Sequence, residues 1–403
     1  MATVTKTIKS GGDYSTPAAW ENDLDDSSIY SSGDTAIGEV SGDHELTAEL
    51  LINGGGTVGL TQTRLTVPTA DRHDGTAGSG VRFTFDMTGT RVLKLAYATA
   101  DVQRTVEWIE WDFEQVSRSG DEWIYLSTFG ADTSDGRLIN LSHCLIHGPR
   151  GSSHTRIIVA ESFNNSVHNN IMYDVQGGGP YNRGIWMSNN RFLCAANTVY
   201  GVSATGSGSN AAGIYTQDST YSYLWNNVVC GTSGTGAKDF QPASSYGWFG
   251  DGGNNLSSDT TAPDSDSIHS ESASDLFVST TSGSEDLHLK AGAAAIGAGA
   301  DLGTGYYDSA SGFTLATSTF GTSLNYDIDN YDREAADDWD IGADQRVAAA
   351  SAQSAPSILA ANTAIERPDK WLHATPLYRL PIRPGTIPPT RRKRATLQRT
   401  RSN

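Results

Sequence analysis

Three carboxylates alternate along one short stretch of the chain, at Glu110, Asp112 and Glu114. The residues between and before them form an apolar row: Ile109, Trp111 and Phe113. This alternation predicts a β-strand with one acidic face. Alternate strand residues lie about 6.6 Å apart, and glycosidase carboxyls lie about 5 to 9 Å apart. The row is a candidate calcium site or acid/base pair, but in so acidic a chain we expect a solvent-exposed acidic face.

Four histidines follow within a short distance: His143, His147, His154 and His168. A catalytic base could lie among them, but their spacing matches no metal-ligand motif. His147 also occupies a repeat position that elsewhere holds Tyr173, Tyr200 or Cys230. Because that position accepts such different side chains, we interpret the histidines as structural.

The remaining reactive groups give no further site. Cys144, Cys194 and Cys230 are odd in number and show no C-x-x-C spacing, so they indicate buried thiols and not a disulfide framework or a zinc site. No Ser-His-Asp arrangement or phosphate-binding glycine loop is recognisable. We therefore predict no catalytic residue, no metal site and no cofactor, and we expect a protein that is not an enzyme.

The elements that position these groups belong to an internal repeat between residues 137 and 232. The equivalent positions Cys144, Asn170, Asn197 and Asn227 lie 26, 27 and 30 residues apart. Each is embedded in a similar stretch, such as Asn169-Asn-Ile-Met-Tyr or Asn226-Asn-Val-Val-Cys. A period in this range is the signature of a repeat architecture.

Two residues after each repeat position comes an apolar column, formed by Ile146, Met172, Val199 and Val229. Strand side chains alternate between faces, so Asn170, Asn197 and Asn227 point to the same interior as this column. Buried amides must be hydrogen-bonded, and stacked asparagines can bond to one another. We predict a parallel β-helix with an asparagine ladder. A β-sandwich with Asn-Asn turns is the alternative, but it would not repeat strand, turn and strand at one period.

The start of the chain predicts a short strand and then a helix. Thr16 is a candidate N-cap, with Pro17 at the first helical position and Trp20 and Leu24 among the apolar residues that follow. A helix here would cover the open end of a solenoid. The stretch Gly12-Asp-Tyr-Ser-Thr resembles the opening of right-handed β-helix proteins, in which such a turn leads into a capping helix.

The end of the body, residues 275–346, carries a second resemblance, and we call it the closing segment. Asp286-Leu-His-Leu-Lys-Ala-Gly-Ala-Ala-Ala-Ile-Gly-Ala-Gly, Tyr326-Asp-Ile-Asp-Asn and Trp339-Asp-Ile-Gly-Ala-Asp resemble the closing motifs of the pectate-lyase-like β-helix superfamily. Gly297 replaces an Asp of that pattern and Asn330 replaces a Gly, which weakens any metal site implied at Asp327 and Asp329. The resemblance implies a single-stranded right-handed parallel β-helix. Proteins with this fold include lyases, hydrolases, adhesins and viral spikes, so the resemblance implies no single function.

The last residues differ in composition and charge. Residues 348–403 carry ten Lys or Arg and two acidic residues, a formal charge of +8, whereas the first 347 residues carry 18 basic and 44 acidic groups, or −26. Proline density favours an extended chain there. We expect an arm that binds a partner protein through apolar and basic anchors: Trp371, Leu377, Tyr378, Ile382, Arg391, Arg392, Lys393 and Arg394.

These features predict an all-β chain of three parts: an N-terminal strand and capping helix in 1–40, a β-helix in 41–347, and the arm in 348–403. We expect a virion structural protein of a tailed bacteriophage, resembling phage virion-associated β-helix proteins and anchored on a capsid-type subunit by the arm. A polysaccharide lyase or glycoside hydrolase and a cell-surface adhesin are the alternatives. Assembly into a homo-oligomer and binding of a glycan on the β-helix surface are further possibilities. Nucleic acid is disfavoured as a partner because the acidic body would repel it.

The expected location is the virion, after synthesis in the host cytoplasm. The opening Met1-Ala-Thr-Val-Thr-Lys-Thr-Ile lacks the apolar core of a signal peptide. The chain also contains no run of 18 apolar residues, so we expect no membrane span.

Overall fold

The computed structural model is a parallel β-solenoid of about seven turns. It describes residues 1–87, 91–96, 102–114, 117–118, 122–127, 138–161, 165–188, 192–206, 210–217, 222–242, 252–303, 306–308, 313–315, 324–333 and 338–346. The predicted arm, with Trp371, Leu377, Tyr378, Ile382 and Arg391 to Arg394, lies outside the described residues.

Three long parallel sheets run the length of the solenoid. The first sheet contains Thr3–Ile8, Thr35–Val40, Gln62–Thr66, Gln103–Glu107, Ile139–Ser142, Asn165–His168, Phe192–Ala195, Ser222–Trp225 and Gly252–Gly253. The second contains His44–Leu46, Arg82–Phe85, Glu110–Asp112, Leu145–His147, Ile171–Tyr173, Thr198–Tyr200, Val228–Cys230 and Leu256–Ser257. The third contains Leu50–Ile52, Leu93–Ala96, Glu122–Ser127, Thr155–Glu161, Asn182–Ser188, Ala212–Gln217 and Lys238–Pro242.

The other elements are short. A narrow parallel sheet joins Ser117–Arg118, Arg150–Gly151, Gln176–Gly177 and Ser203–Ala204. Two antiparallel hairpins pair Phe277–Thr281 with Ser284–Leu289 and Tyr306–Asp308 with Phe313–Leu315. The helices are Pro17–Asn22, Ala273–Leu276 and the 3-10 turn Thr69–Asp71. None of these described helices has the length and apolarity needed to cross a membrane.

The repeat predicted from sequence is confirmed by the register of the second sheet. Ile146 pairs with Met172, and Met172 with Val199, which in turn pairs with Val229. All four side chains belong to the buried core of the solenoid. Each coil therefore places one apolar side chain at the same level, and the stack excludes water along the axis.

The asparagine ladder is present, and it has one more member than predicted. The Asn170 amide and backbone N–H both donate to Asn197 Oδ1, at 3.0 and 3.2 Å. Asn197 bonds to Asn227 in the same way, and Asn227 to Asn255. Each ladder amide also donates to a backbone carbonyl of the first sheet, as Asn197 does to Val167 at 2.9 Å. The ladder thus satisfies both side chain and main chain at a buried corner.

The residue before each ladder position has a left-handed backbone. Only two residues separate a strand of the first sheet from the next strand of the second, and the first of the two has φ between 51° and 64°. This column is Trp108, His143, Asn169, Ala196, Asn226 and Asn254. Asparagine tolerates this conformation better than most residues. That preference, together with the ladder, explains the Asn-Asn pairs.

The closing segment covers the outside of the solenoid. It packs Leu276, Phe277, Leu287 and Leu289 against the outward residues of the second sheet, including Tyr173. That sheet also turns Leu145, Ile171, Val228 and Leu256 outward, and all four are fully buried. Burying one such side chain contributes about 1.5 to 3 kcal/mol, so covering this face stabilises the solenoid substantially.

The left-handed column also binds the closing segment through hydrogen bonds. Asn226 donates to the Ala300 carbonyl and accepts from the Ala300 N–H, both at 2.8 Å. Asn254 donates to Ala298 at 2.9 Å, and Asn169 donates to Leu324 at 3.1 Å. The segment therefore runs back along the corner, from the last coils towards the earlier ones.

At the other end, the predicted N-cap is observed. Thr16 accepts a hydrogen bond from the Ala19 N–H at 3.2 Å, and Pro17 begins the helix. Trp20 and Leu24 are fully buried in the main core. Thr3–Ile8 and Thr35–Val40 are the first two strands of the first sheet. Residue 40 is therefore not a boundary of that sheet.

Replacing Asn197 by Leu should lower the thermal midpoint. The change leaves the Asn170 amide and the Asn227 carbonyl oxygen without their ladder partner, at about 1 to 3 kcal/mol for each unpaired group. Thermal unfolding followed by circular dichroism measures it. Asn22→Leu is the control, because Asn22 is exposed. Equal midpoints for the two variants would contradict a stabilising ladder.

Candidate functional site: an acidic pocket beside the closing segment

A pocket of about 230 Å³ opens between the second sheet and the closing segment. Four parts of the chain line it: the loop of residues 73–79, the ends of two second-sheet strands, and the first hairpin of the closing segment. The lining residues are Thr76, Ala77, Glu114, Tyr173, Gly283, Ser284, Glu285 and Asp286. Three carboxylates and a tyrosine in so small a space favour a cationic or polyhydroxylated ligand.

Glu110 lies beside this pocket and is buried, so a fully solvated acidic face was the wrong expectation for this row. Its exposure is 1 %. One carboxylate oxygen accepts from the Gly78 N–H at 2.8 Å, and the other accepts from His147 Nε2 at 2.9 Å. The loop of residues 73–79 covers the strand and supplies the first bond. A buried carboxylate is retained here because it is paired.

His147 lies between two carboxylates. Its Nε2 contacts Glu110, and its Nδ1 faces Glu114 Oε1 at 3.6 Å. The imidazole is stacked on the ring of Tyr173, with centroids 5.3 Å apart. Burial would lower the pKa of His147, but the hydrogen bond and charge of Glu110, with Asp112 and Glu114, outweigh burial and raise that pKa.

Asp112 and Glu114 complete the acidic row at the more exposed side. The Asp112 carboxylate accepts from the Glu114 N–H at 3.0 Å and lies 3.6 Å from Arg82 Nη1. Asp112 is half-buried, whereas the Glu114 side chain is 48 % exposed. Along the row the carboxylates therefore become more exposed, from the buried Glu110 to Glu114 at the pocket wall.

A second cluster lies in the closing segment. His288 Nδ1 lies 2.5 Å from Asp286 Oδ1, and its Nε2 lies 3.2 Å from Asp329 Oδ1. Asp344 is also near, and it accepts from the Leu289 N–H at 2.7 Å. Burial opposes the charged form of His288, but Asp329, Asp344 and Asp286 together raise its pKa to about 10. The imidazolium therefore ties the hairpin to the final turns of the segment.

The loop of residues 73–79 joins the two clusters. Gly78 bonds Glu110, while Gly75 lies against His288, where an added Cβ would come within 2.9 Å of Nε2. Gly75 also has φ +81°, so both its space and its backbone require glycine. His73 of the same loop is buried, and burial lowers its pKa to about 4. It is a neutral packing residue.

The other three predicted histidines make packing contacts and hydrogen bonds outside the pocket. His143 is buried, stacks on Trp108 at 4.3 Å and bonds to the Tyr326 carbonyl at 2.9 Å. Burial lowers the pKa of His168 to about 3. His154 lies against Tyr181, next to the third-sheet strand that begins at Thr155. All three cysteines are buried and free, as predicted.

Asp327 and Asp329 of the closing motif have different roles. Asp327 is buried and accepts from the N–H groups of Asp329, Tyr331 and Gln345 at 2.6 to 3.0 Å. It therefore shapes a turn, and burial raises its pKa to about 7. Asp329 pairs with His288 instead. The two carboxylates are thus used separately.

Sequence reasoning found Glu110, Asp112, Glu114 and His147 but missed Glu285, Asp286 and His288. Nothing in the sequence indicates that the hairpin returns to strands that end near Glu114 and Tyr173. The missed ladder residue Asn255 did have a signal, because Asn254-Asn255-Leu256 repeats the pattern Asn226-Asn227-Val228.

Comparison with known proteins adds no assignment. No protein-family model matches the chain, and no match is found among curated proteins or among solved structures. The β-solenoid is therefore established by the structure alone, and any function must be argued from the residues.

The charge of His288 predicts a pH-dependent stability difference. Its folded pKa of about 10 exceeds the ordinary value of about 6.5. The contribution is therefore complete below about pH 6.5 and is lost as the pH rises towards 10. The midpoint difference between the natural chain and His288→Gln should be largest near pH 6 and should shrink by pH 10.

Thermal melts across this range measure the effect, and His269→Gln is the control because His269 is exposed. A His288→Gln difference that does not change with pH would show that the imidazolium makes no charge-dependent contribution.

Proposed function

We propose that this chain is a structural protein on the surface of a virus particle of the tailed-bacteriophage kind. The solenoid forms the exposed body, and residues 348–403 attach it to a capsid-type subunit. The opposite charges of these two parts, −26 and +8, carry the proposal. An arm with apolar anchors and an arginine-rich end has the composition expected of a segment that orders on a partner surface.

The ionic state of the second cluster, around His288, argues against His288 as a general base and supports a structural role for this cluster. A general base must hold an available lone pair near neutral pH. His288 retains its proton because its pKa is raised to about 10, and its two ring nitrogens face Asp286 and Asp329. These groups connect segments of the chain that are distant in sequence, which is what a rigid surface protein requires.

A polysaccharide-binding or polysaccharide-cleaving protein is the second candidate, and the outer face of the third sheet favours it. Trp186 and Tyr215 are paired neighbours on this face. The Arg156 guanidinium lies 4.3 Å from the Trp186 ring centroid, and Arg183 lies 4.5 Å from that of Tyr215. Cations over aromatic rings suit acidic sugars, because they offer both charge and flat apolar surface.

Removal of residues 350–403 should leave the solenoid folded and prevent its incorporation into particles. The expected thermal midpoint is unchanged, because the ladder and the closing segment lie within residues 1–346. Mass spectrometry of purified particles measures occupancy.

Two full-length variants divide the contributions within the arm. One replaces Trp371, Leu377 and Tyr378 by Ser, and the other replaces Arg391 to Arg394 by Gln. Loss of incorporation in the first variant would assign attachment to the apolar anchors. Normal occupancy of the truncated chain would refute anchoring by the arm.

Incubation of the full chain with a panel of acidic and neutral polysaccharides should leave them intact. Size-exclusion chromatography of the products measures chain length. Reproducible cleavage that is lost in Trp186→Ala, but kept in a variant of the exposed residue Val278, would replace the structural proposal by the enzymatic one.

A further inference from the structure

We propose that His147 and Glu114 form the core of a binding site for a divalent transition-metal ion such as Zn²⁺. The two residues lie at the ends of two neighbouring strands of the second sheet, beside the acidic pocket that Glu114 lines. The site does not involve the outer face of the third sheet, and the proposal does not depend on the attachment role of residues 348–403.

The orientation of His147 is the first argument. Nε2 lies 2.9 Å from Glu110 Oε1, and because a carboxylate can only accept, Nε2 carries the proton of that bond. A histidine that binds metal usually donates its other N–H to a carboxylate, which fixes the tautomer and the ring. Glu110 is itself held by the Gly78 N–H at 2.8 Å. Glu110 and Gly78 therefore already provide the hydrogen bonds that orient His147 for binding a metal ion.

The free nitrogen is the second argument. The His147 side chain is only 3 % exposed, and its Nδ1 has no hydrogen-bond partner among the described residues. It points towards Glu114 Oε1 at 3.6 Å, which exceeds hydrogen-bond distance. Two ligands about 2.0 to 2.2 Å from a tetrahedral zinc ion lie roughly 3.3 to 3.6 Å apart. The observed separation therefore fits an ion bridging the two atoms.

Asp112 adds negative charge close to His147. It is the cross-strand partner of His147. One oxygen of Glu110, one of Asp112 and one ring nitrogen of His147 all lie within 4.8 Å of one another. An imidazole nitrogen and a carboxylate oxygen suit zinc or a related ion, whereas calcium prefers oxygen ligands alone.

The surroundings fix the ring and leave access to the site. Tyr173 stacks under the imidazole with an interplanar angle of 10°, which limits rotation of the ring. Glu114 lines the pocket, so an ion can enter from that side and water can complete its coordination. Arg82 lies 3.6 Å from Asp112 and offsets the charge of that carboxylate. The carboxylates of Glu110 and Glu114 remain, so the surroundings of the site are still negatively charged.

Isothermal titration calorimetry of the chelator-treated full-length chain with ZnCl₂ tests the proposal. We expect one zinc ion per chain, bound more tightly than calcium or magnesium. Glu114→Gln should weaken binding at least tenfold and should not disturb folding, because about half of the side chain is exposed. Glu110→Gln should weaken zinc binding about 10- to 100-fold through loss of the supporting bond.

His269→Gln and His288→Gln are the controls for an exposed histidine and for the second cluster, and both should bind zinc as the natural chain does. Melting curves without zinc identify any variant that fails to fold. If the Glu110 variant does not fold, zinc binding by the Glu114→Gln variant tests the proposal. Absence of zinc binding, or binding that is unchanged by Glu114→Gln, would overturn the proposal.

Discussion

The structure depends on satisfying polar groups at one buried corner. Between the first and second sheets the chain turns in two residues, and main-chain N–H groups there face the interior, where water cannot reach them. The ladder of Asn170, Asn197, Asn227 and Asn255 supplies acceptors for these groups and donors for carbonyls of the first sheet. Because each asparagine serves the next coil, the ladder also fixes the register of the coils that it joins.

The same corner determines where the closing segment binds. The left-handed residue before each ladder position turns its side chain outward, and Asn169, Asn226 and Asn254 use theirs to hold the returning chain. The apolar outer face of the second sheet supplies the remaining stabilisation. The acidic pocket lies at the border of this covered face, which is why it combines strand residues with hairpin residues.

The repeating strands and the asparagine ladder could be predicted from the sequence. The contacts that the loop of residues 73–79 and the closing segment make with those strands could not. The column through Ile146 and the ladder through Asn197 were readable because strand alternation and a constant period leave few choices. The burial of Glu110 was not readable, because it depends on a loop and on a hairpin that no local pattern relates to that strand. Charge alone suggested solvation, whereas pairing with His147 and Gly78 permits burial.

The path of the closing segment bears on how the solenoid unfolds. In a simple repeat array each coil contacts only its neighbours, so end coils can fray independently. Here one continuous segment contacts Asn254 near its start and Arg72 through Asn330 later on. It bridges coils that do not touch one another, so fraying of one coil must also release contacts made to others. Unfolding should therefore be more cooperative than the repeat alone would allow, and the segment can dock only after most coils have assembled.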